Sequence, residues 1–349
     1  MDHNWVLYIA AFSTAFAVSN VFTPLAKTIS IKVGAIDYPK ARGMHKEPMP
    51  RMGGLAIVIG FVFTVLLLYR FVEFSETKKL IGFMIGAAII VVLGMFDDIY
   101  NLRARLKFFV QILAALVPMM FGIKINVVMW PVTHALDYLS GPITLIWIVG
   151  VTNAVNLIDG LDGLAAGVSS IAALCIMVLC ILTGEETAIL LTAALAGSCL
   201  GFLPRNFNPA QIFMGDTGAT FLGYTLAVTS ILGVFKGYAI LALVVSMLCL
   251  GLPIFDTMFA MVRRMAKKQP IMQADRGHLH HRLIDRGFSQ KQAVMILYGI
   301  SILCGLTAIL IMFKNAQTAV VIILTIFVLS LLIYFFNNRR KIKHQDEEH

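Results

Sequence analysis

Pro142-Ile-Thr-Leu-Ile-Trp-Ile-Val-Gly-Val-Thr-Asn153-Ala-Val-Asn156-Leu-Ile-Asp159-Gly160-Leu161-Asp162-Gly163-Leu164 begins as an apolar run and ends as a polar one. An apolar run of this kind can enter a bilayer core of about 30 Å as a helix. Asn153, Asn156, Asp159 and Asp162 recur at a spacing of three. Residues i and i+3 share a helix face, so they make a polar stripe at one end of the span. Gly160 and Gly163 then let the backbone turn. Ionisable groups near bilayer depth are costly and mark functional sites. A stripe of oxygen ligands is what Mg2+, or a diphosphate carrying its metal, requires. The alternative is hydrogen bonding between helices, which asparagine supplies in membranes.

The rest of the chain has the same character. Of its 349 residues, 59% are hydrophobic and 13% charged, against roughly 25% charged in soluble domains. This mix excludes a soluble enzyme, a disordered chain and a disulfide scaffold. The apolar runs do not alternate at period two, which argues against an outer-membrane barrel. Cys175, Cys180, Cys199, Cys249 and Cys304 all sit inside apolar runs and read as packing residues. The first run has neither a basic leader region nor a small-residue cleavage signal, so it reads as a retained helix.

Eleven candidate spans follow, at about 5–25, 53–71, 80–96, 106–121, 142–158, 163–182, 187–203, 218–233, 237–258, 293–313 and 317–336. The count is ten if one of the short or glycine-broken runs does not cross. The net charge of +9 reads as the positive-inside bias, not as nucleic-acid binding. With the N-terminus outside, the inside segments are 26–52, 97–107, 159–162, 204–217, 259–292 and the tail, and they hold 22 of the 28 Lys and Arg. The expected fold is an all-α polytopic membrane protein with a cytoplasmic C-terminus. It is one domain over 1–336 with a tail at 337–349.

The other unusual acids fall on the same expected face. Asp97 and Asp98 end the third span, Asp216 precedes the eighth and Asp256 ends the ninth. Adjacent carboxylates raise each other's pKa and suit a base or a metal site; a solvated loop with local ion pairs is the plainer reading. Asp216 lies between Gly215 and Gly218, an arrangement suited to Mg2+ held with phosphate or, equally, to a helix cap from Asp216 or Thr217. Asp275-Arg276-Gly277-His278-Leu279-His280-His281-Arg282 gathers three histidines and two arginines. No cysteine completes a zinc site there, so diphosphate binding fits better than zinc, with a solvated loop on anionic lipid as the alternative. This convergence predicts one cytoplasm-facing site. A transporter is the competing class, but no inverted repeat is evident and the outer half is almost bare of polar residues. A CDP-alcohol phosphotransferase lacks support because Asp159-Gly160 is followed by Leu-Asp-Gly-Leu.

Five stretches together resemble the polyprenyl-phosphate N-acetylhexosamine-1-phosphate transferase superfamily, glycosyltransferase family 4, from about residue 37 to 287. They are Asp37-x-Pro39-x-x-Arg42-x-x-His45 with Pro48-x-Pro50-Arg51-x-Gly53-Gly54, Asp97-Asp98-x-x-x-Leu102, the Asn153-to-Leu164 run, Phe213-Met-Gly-Asp216-Thr-Gly, and His278-Leu-His280-His281. The His-Leu-His-His loop is similar to the teichoic-acid linkage-unit and common-antigen branch, whereas the peptidoglycan branch usually has three consecutive histidines. The resemblance implies transfer of GlcNAc-1-phosphate from UDP-GlcNAc to undecaprenyl phosphate in a bacterial plasma membrane, releasing UMP. UDP-MurNAc-pentapeptide is the alternative donor. It implies Mg2+, with Mn2+ as a substitute, held by Asp216 and Asn156. Asp97 or Asp98 would orient or deprotonate the lipid phosphate. Asp159, Asp162, Lys107 and His278 complete the catalytic group. Lys46, Asn153, Asn206, Phe213, Arg276, His280 and His281 would contact substrate, with Phe213 stacking on uracil and Asn206 hydrogen bonding it. A homodimer is also implied.

Overall fold

The computed structural model describes residues 4–39, 47–71, 77–125, 137–234, 239–266 and 278–313. Among these the chain is almost entirely helical. In lipid every backbone N–H and C=O must be satisfied within the segment, so apolar runs close on themselves as helices. The helices are α1 (Trp5–Lys32), α2 (Gly54–Leu68), α3 (Thr77–Tyr100), α4 (Ala104–Met120), α5 (Asp137–Ile158), α6 (Leu164–Thr183) and α7 (Glu186–Asn206). They continue as α8 (Gly215–Val234), α9 (Ala239–Cys249), α10 (Gly251–Ala266), α11 (Leu279–Asp285) and α12 (Gln290–Met312). Their ends are written in the sequence. Gly163 and Gly184 bracket α6 in the left-handed region, and Ser289 with Gln292 forms a capping box at the start of α12.

Seven described helices are long and apolar enough to cross a bilayer: α1, α2 with the short 3-10 turn to Phe71, α3, α5, α6, α7 and α12. The expected spans 106–121 and 218–233 correspond to α4, of 17 residues, and α8, of 20. The expected single span 237–258 is two helices, α9 and α10, parted at Leu250. Pro253, in the first turn of α10, has no N–H for the carbonyl of Cys249, and Gly251 adds freedom there. The eleventh expected span, 317–336, and the tail lie outside the described residues.

Helix α8 is the hub, with Phe221, Leu222, Tyr224, Leu226, Ala227 and Val228 fully buried. It packs against α2, α3, α5, α6 and α7. Close approach depends on small residues, as is usual between membrane helices. A side chain at Gly54 would strike the backbone of Gly218, and one at Gly223 would come 2.6 Å from Cα of Thr152. A two-stranded antiparallel ribbon, β1 (Ile36–Asp37) with β2 (Met49–Pro50), links α1 to α2 and was not signalled by the sequence. It brings Arg51 to the end of the bundle where α3, α5 and α7 finish and α4, α8 and α12 begin.

Candidate active site

A cavity of about 730 Å³ opens at that end. Its wall takes residues from each of the expected inside loops: Asp37, Glu47 and Arg51; Asp97, Asp98 and Lys107; Asp159 and Asp162; Asn206, Asn208, Phe213 and Asp216; and His281. Thus Asp97, Asp98, Asp159, Asp162 and Asp216, which stood out in the sequence, share one space.

Lys107, from the first turn of α4, is the centre of the ionic arrangement. Its Nζ lies 2.7 Å from Asp97 Oδ2 and 2.8 Å from Asp216 Oδ2. The other Asp97 oxygen accepts from Leu102 N at 2.7 Å, and the Arg51 guanidinium donates to the Asp97 carbonyl at 2.8 Å. Asp216 is 28% exposed and Lys107 25% exposed, so the pair faces the cavity.

Asp98 does something different. Its Oδ1 accepts from Asp216 N at 2.9 Å, and its Oδ2 from Thr217 N at 3.0 Å and Thr217 Oγ1 at 2.6 Å. Arg51 Nε lies 3.4 Å from Oδ1, and the Asp98 side chain is only 1% exposed. Asp98 therefore caps α8 from another helix, satisfying N–H groups that a helix start leaves open. The sequence left Asp97 and Asp98 interchangeable and offered Asp216 or Thr217 as a cap, as an equal alternative to Mg2+ held with phosphate. Instead the distant Asp98 caps α8, which leaves the Asp216 carboxylate turned to Lys107. Gly215 is required for this turn: its φ is +74°, and a side chain there would strike the carbonyl of Arg51.

The run after α5 divides by residue. Asn153 donates to Gln111 Oε1 of α4 at 2.6 Å and to its own Val149 carbonyl at 2.8 Å. It fulfils the interhelical alternative and is not among the cavity-lining residues. Asn156 is half-buried on the last turn of α5 and also stands outside the lining. Asp159 and Asp162 do line the cavity. Asp162 Oδ2 accepts from Asn208 Nδ2 at 2.9 Å and Ala210 N at 3.2 Å, fastening the loop that leads to α8. Tyr298 of α12 steadies the same turn by donating to the Gly163 carbonyl at 2.6 Å. Asn206 is buried, with Oδ1 accepting from Gly163 N and Nδ2 donating to the Ile212 carbonyl. Phe213 lines the cavity while its backbone pairs with Pro50 and Gly53.

Burial, with the Asp98 and Asp162 charges adding to it, pushes the Asp159 carboxyl up from 3.8 to about 7. Folding thus favours its protonated form, and the cost of ionising it in place is absent below about pH 4 and grows until about pH 7. Asp159→Asn is uncharged throughout. It is expected to melt progressively above wild type as pH rises from 4.5 to 7.5, by up to a few kcal/mol at 1.36 per pKa unit. A melting difference that does not change with pH would remove the buried charge from this account.

The histidines also separate. His278 is buried with Nδ1 2.8 Å from Asp256 Oδ2, and Asp256 Oδ1 accepts from Leu279 N at 2.8 Å, capping α11 from α10. The His280 ring stacks near-parallel on His278 at 5.7 Å and packs against Gly160. Burial, with His281 and His278 nearby, lowers its pKa to about 4, so it is neutral at pH 7. His281, tilted on His280 at 4.3 Å, is the one of the three that lines the cavity. Lys46 and Arg276, both named from the sequence, lie outside the described residues.

No group of three or more His, Cys, Asp or Glu is arranged to hold a metal by itself among the described residues. The donor chemistry still suits Mg2+, which is usually held by one or two carboxylates together with substrate phosphates and water. Asp97 and Asp216 present such hard oxygens, and in this structure each turns one of them to the Lys107 ammonium. Asp37, Glu47, Asp97, Asp98, Asp159, Asp162 and Asp216 face Arg51, Lys107 and His281 across the cavity, so a diphosphate would need further positive charge.

The sequence model described as "Glycosyl transferase family 4" matches residues 80–234. Over 96% of its length the chain is 40% identical to the "Probable undecaprenyl-phosphate N-acetylglucosaminyl 1-phosphate transferase" of Bacillus subtilis, of which 92% is covered. The chain belongs to glycosyl transferase family 4. It is 35% identical, over 88% of its length and 83% of the relative, to the "Decaprenyl-phosphate N-acetylglucosaminephosphotransferase" of Mycolicibacterium smegmatis. It is 26% identical, over 83% and 80%, to the "Undecaprenyl-phosphate alpha-N-acetylglucosaminyl 1-phosphate transferase" of Salmonella typhi.

Membership of family 4 makes the protein a transferase and displaces the transporter alternative. The matched stretch contains Asp97, Asp98, Asp159, Asp162, Asp216, Lys107 and Phe213, but not Asp37, Arg51, Asp256 or His281. The fold brings Arg51 and His281 to the family 4 segment. Sequence reasoning quoted Arg51 without giving it a role and noted Asp256 without a partner. Asn208 and Gln290 gave no signal, because a polar residue in a loop or at a helix start is ordinary.

Proposed function

We propose that the protein transfers GlcNAc-1-phosphate from UDP-GlcNAc to undecaprenyl phosphate at the cytoplasmic face of the bacterial plasma membrane. The products are GlcNAc-diphospho-undecaprenol and UMP, and the step would begin assembly of a surface glycopolymer. One observation carries this reading: the Asp97–Lys107–Asp216 arrangement, exposed to a cavity at the end of the membrane helices. The lipid phosphate arrives from the bilayer and the nucleotide from water, so the reaction needs a site at such a boundary. The basic residues of the same loops support the cytoplasmic side.

In the reaction an oxygen of the lipid phosphate forms a bond to the β-phosphorus while the bond from that phosphorus to the bridging oxygen breaks, and UMP leaves. That lipid phosphate is already largely ionised at neutral pH, so no strong base is required. The barrier is charge repulsion and positioning, which preorganised cations relieve. Lys107, aimed by Asp97 and Asp216, offers a fixed ammonium. His281 is a further donor at the rim. Asp98 and Arg51 hold the backbone on which Asp216 stands. Phe213 offers a face for the base, and Asp162 fastens the loop that carries it. Asp216, with Asp97 beside it, would hold Mg2+, which supplies charge neutralisation for the diphosphate when bound. Asn156, outside the lining, has no part in this assignment.

The test is UMP release by the protein purified in detergent, given undecaprenyl phosphate and Mg2+, with UDP-GlcNAc and UDP-MurNAc-pentapeptide in parallel. UMP from UDP-GlcNAc alone, lost on adding EDTA, is expected. Release from the pentapeptide alone would overturn the donor, and release from neither would overturn the reaction.

A further inference from the structure

Asn206, which the resemblance offers as the hydrogen-bonding partner of uracil, has both ends of its amide engaged and is 3% exposed. Two residues on, Asn208 lines the same cavity as Phe213, together with Gln290 from the first turn of α12. Their amide orientations are determined by chemistry. An ionised carboxylate only accepts, so the end of Asn208 at 2.9 Å from Asp162 Oδ2 is Nδ2. That same Nδ2 lies 2.7 Å from Gln290, so the facing end of Gln290 is its acceptor, Oε1. What remains of these two linked amides is one acceptor, Asn208 Oδ1, and one donor, Gln290 Nε2. Neither has a further protein partner among the described residues, and neither is a buried unsatisfied atom.

We propose that Asn208 Oδ1 and Gln290 Nε2 read the imide edge of the nucleotide's pyrimidine base and select uracil over cytosine. The proposal rests on the nucleotide-sugar reading above for the class of ligand. Uracil presents N–H beside C=O on one edge because its ring locks the amide cis. The acetamido group of the sugar is trans, so its N–H and C=O point apart and cannot meet this acceptor and donor together. Cytosine places a bare ring nitrogen and an amino group on that edge, which sets acceptor against acceptor and donor against donor. Sites built to hydrogen bond a given edge reject its mismatched analogue strongly, because the site's polar groups go unpaired.

The experiment is calorimetric titration of the full-length protein in detergent with UMP and with CMP, which needs no turnover. Wild type is expected to bind UMP at least about tenfold more tightly than CMP. Gln290→Glu keeps the acceptor for Asn208 but turns the outer donor into an acceptor. It is expected to weaken UMP by about tenfold and CMP by much less, narrowing the ratio. An unchanged ratio in a monodisperse variant overturns the pair, as does a wild type that binds neither nucleotide or binds them equally. Loss confined to UDP-GlcNAc relative to UDP-glucose, with UMP unchanged, would transfer the pair to the sugar and also overturn the proposal. If Gln290→Glu does not fold, Gln290→Met removes the donor with the same expectation for UMP. A narrowed ratio in a protein that releases no UMP would sustain the pair and remove the reaction.

Discussion

Asp216→Asn is expected to abolish turnover, by at least about a thousandfold, while the protein remains folded. The side chain contacts Lys107 and is 28% exposed, and Lys107 keeps its second partner in Asp97. The backbone N–H of residue 216, which helps hold α8, is untouched by the change. The loss is thus confined to a charge that faces the cavity. An unaltered melting curve together with absent UMP release is the expected result. Turnover near wild type would remove Asp216 from the reacting centre and, with it, the proposed metal.

Asp98→Ala is expected to do the reverse in order of cause. Removing this carboxylate strands Asp216 N, Thr217 N, Thr217 Oγ1 and the Arg51 guanidinium at a nearly water-free point. Breaking a buried, hydrogen-bonded charge arrangement from one side costs about 3–5 kcal/mol. That is a large share of the 5–15 kcal/mol by which folded domains are usually stable. The melting temperature in detergent should fall sharply, and activity should fall with it. Asp98→Asn, which retains one acceptor, should lose less. If Asp98→Ala melts like wild type yet is inactive, Asp98 belongs with the reacting groups and not with the scaffold.

The two adjacent aspartates illustrate what the sequence could and could not say. Composition, run lengths and the bias of basic residues were enough to read a helical membrane protein, because those properties depend on each run alone. The gathering of the acids at one end was legible for the same reason: each sits at the end of an apolar run. Which aspartate meets Lys107 and which caps α8 was not legible, because it depends on where Thr217 lies relative to Asp98, some 119 positions away. The stripe of four polar residues makes Asn153 a candidate ligand, with hydrogen bonding between helices as the alternative. The partner that claims it, Gln111, stands on another helix 42 positions earlier. The three histidines were legible as a cluster, but their division into anchored His278, neutral His280 and cavity-lining His281 follows from Asp256 and Gly160, which come from separate elements.

The cap on α8 also has a bearing on how the protein is made. A chain emerging from the ribosome carries Asp97 and Asp98 into the membrane long before residues 215–217 exist. Until those arrive, the end of α3 holds two carboxylates without the donors that later compensate Asp98. Arg51, already synthesised, is the counter-charge that the finished structure sets beside Asp98. The Asp98 cap and the Lys107–Asp216 contact therefore form only once α8 is in place. The arrangement at this end thus depends on completion of the bundle through α8.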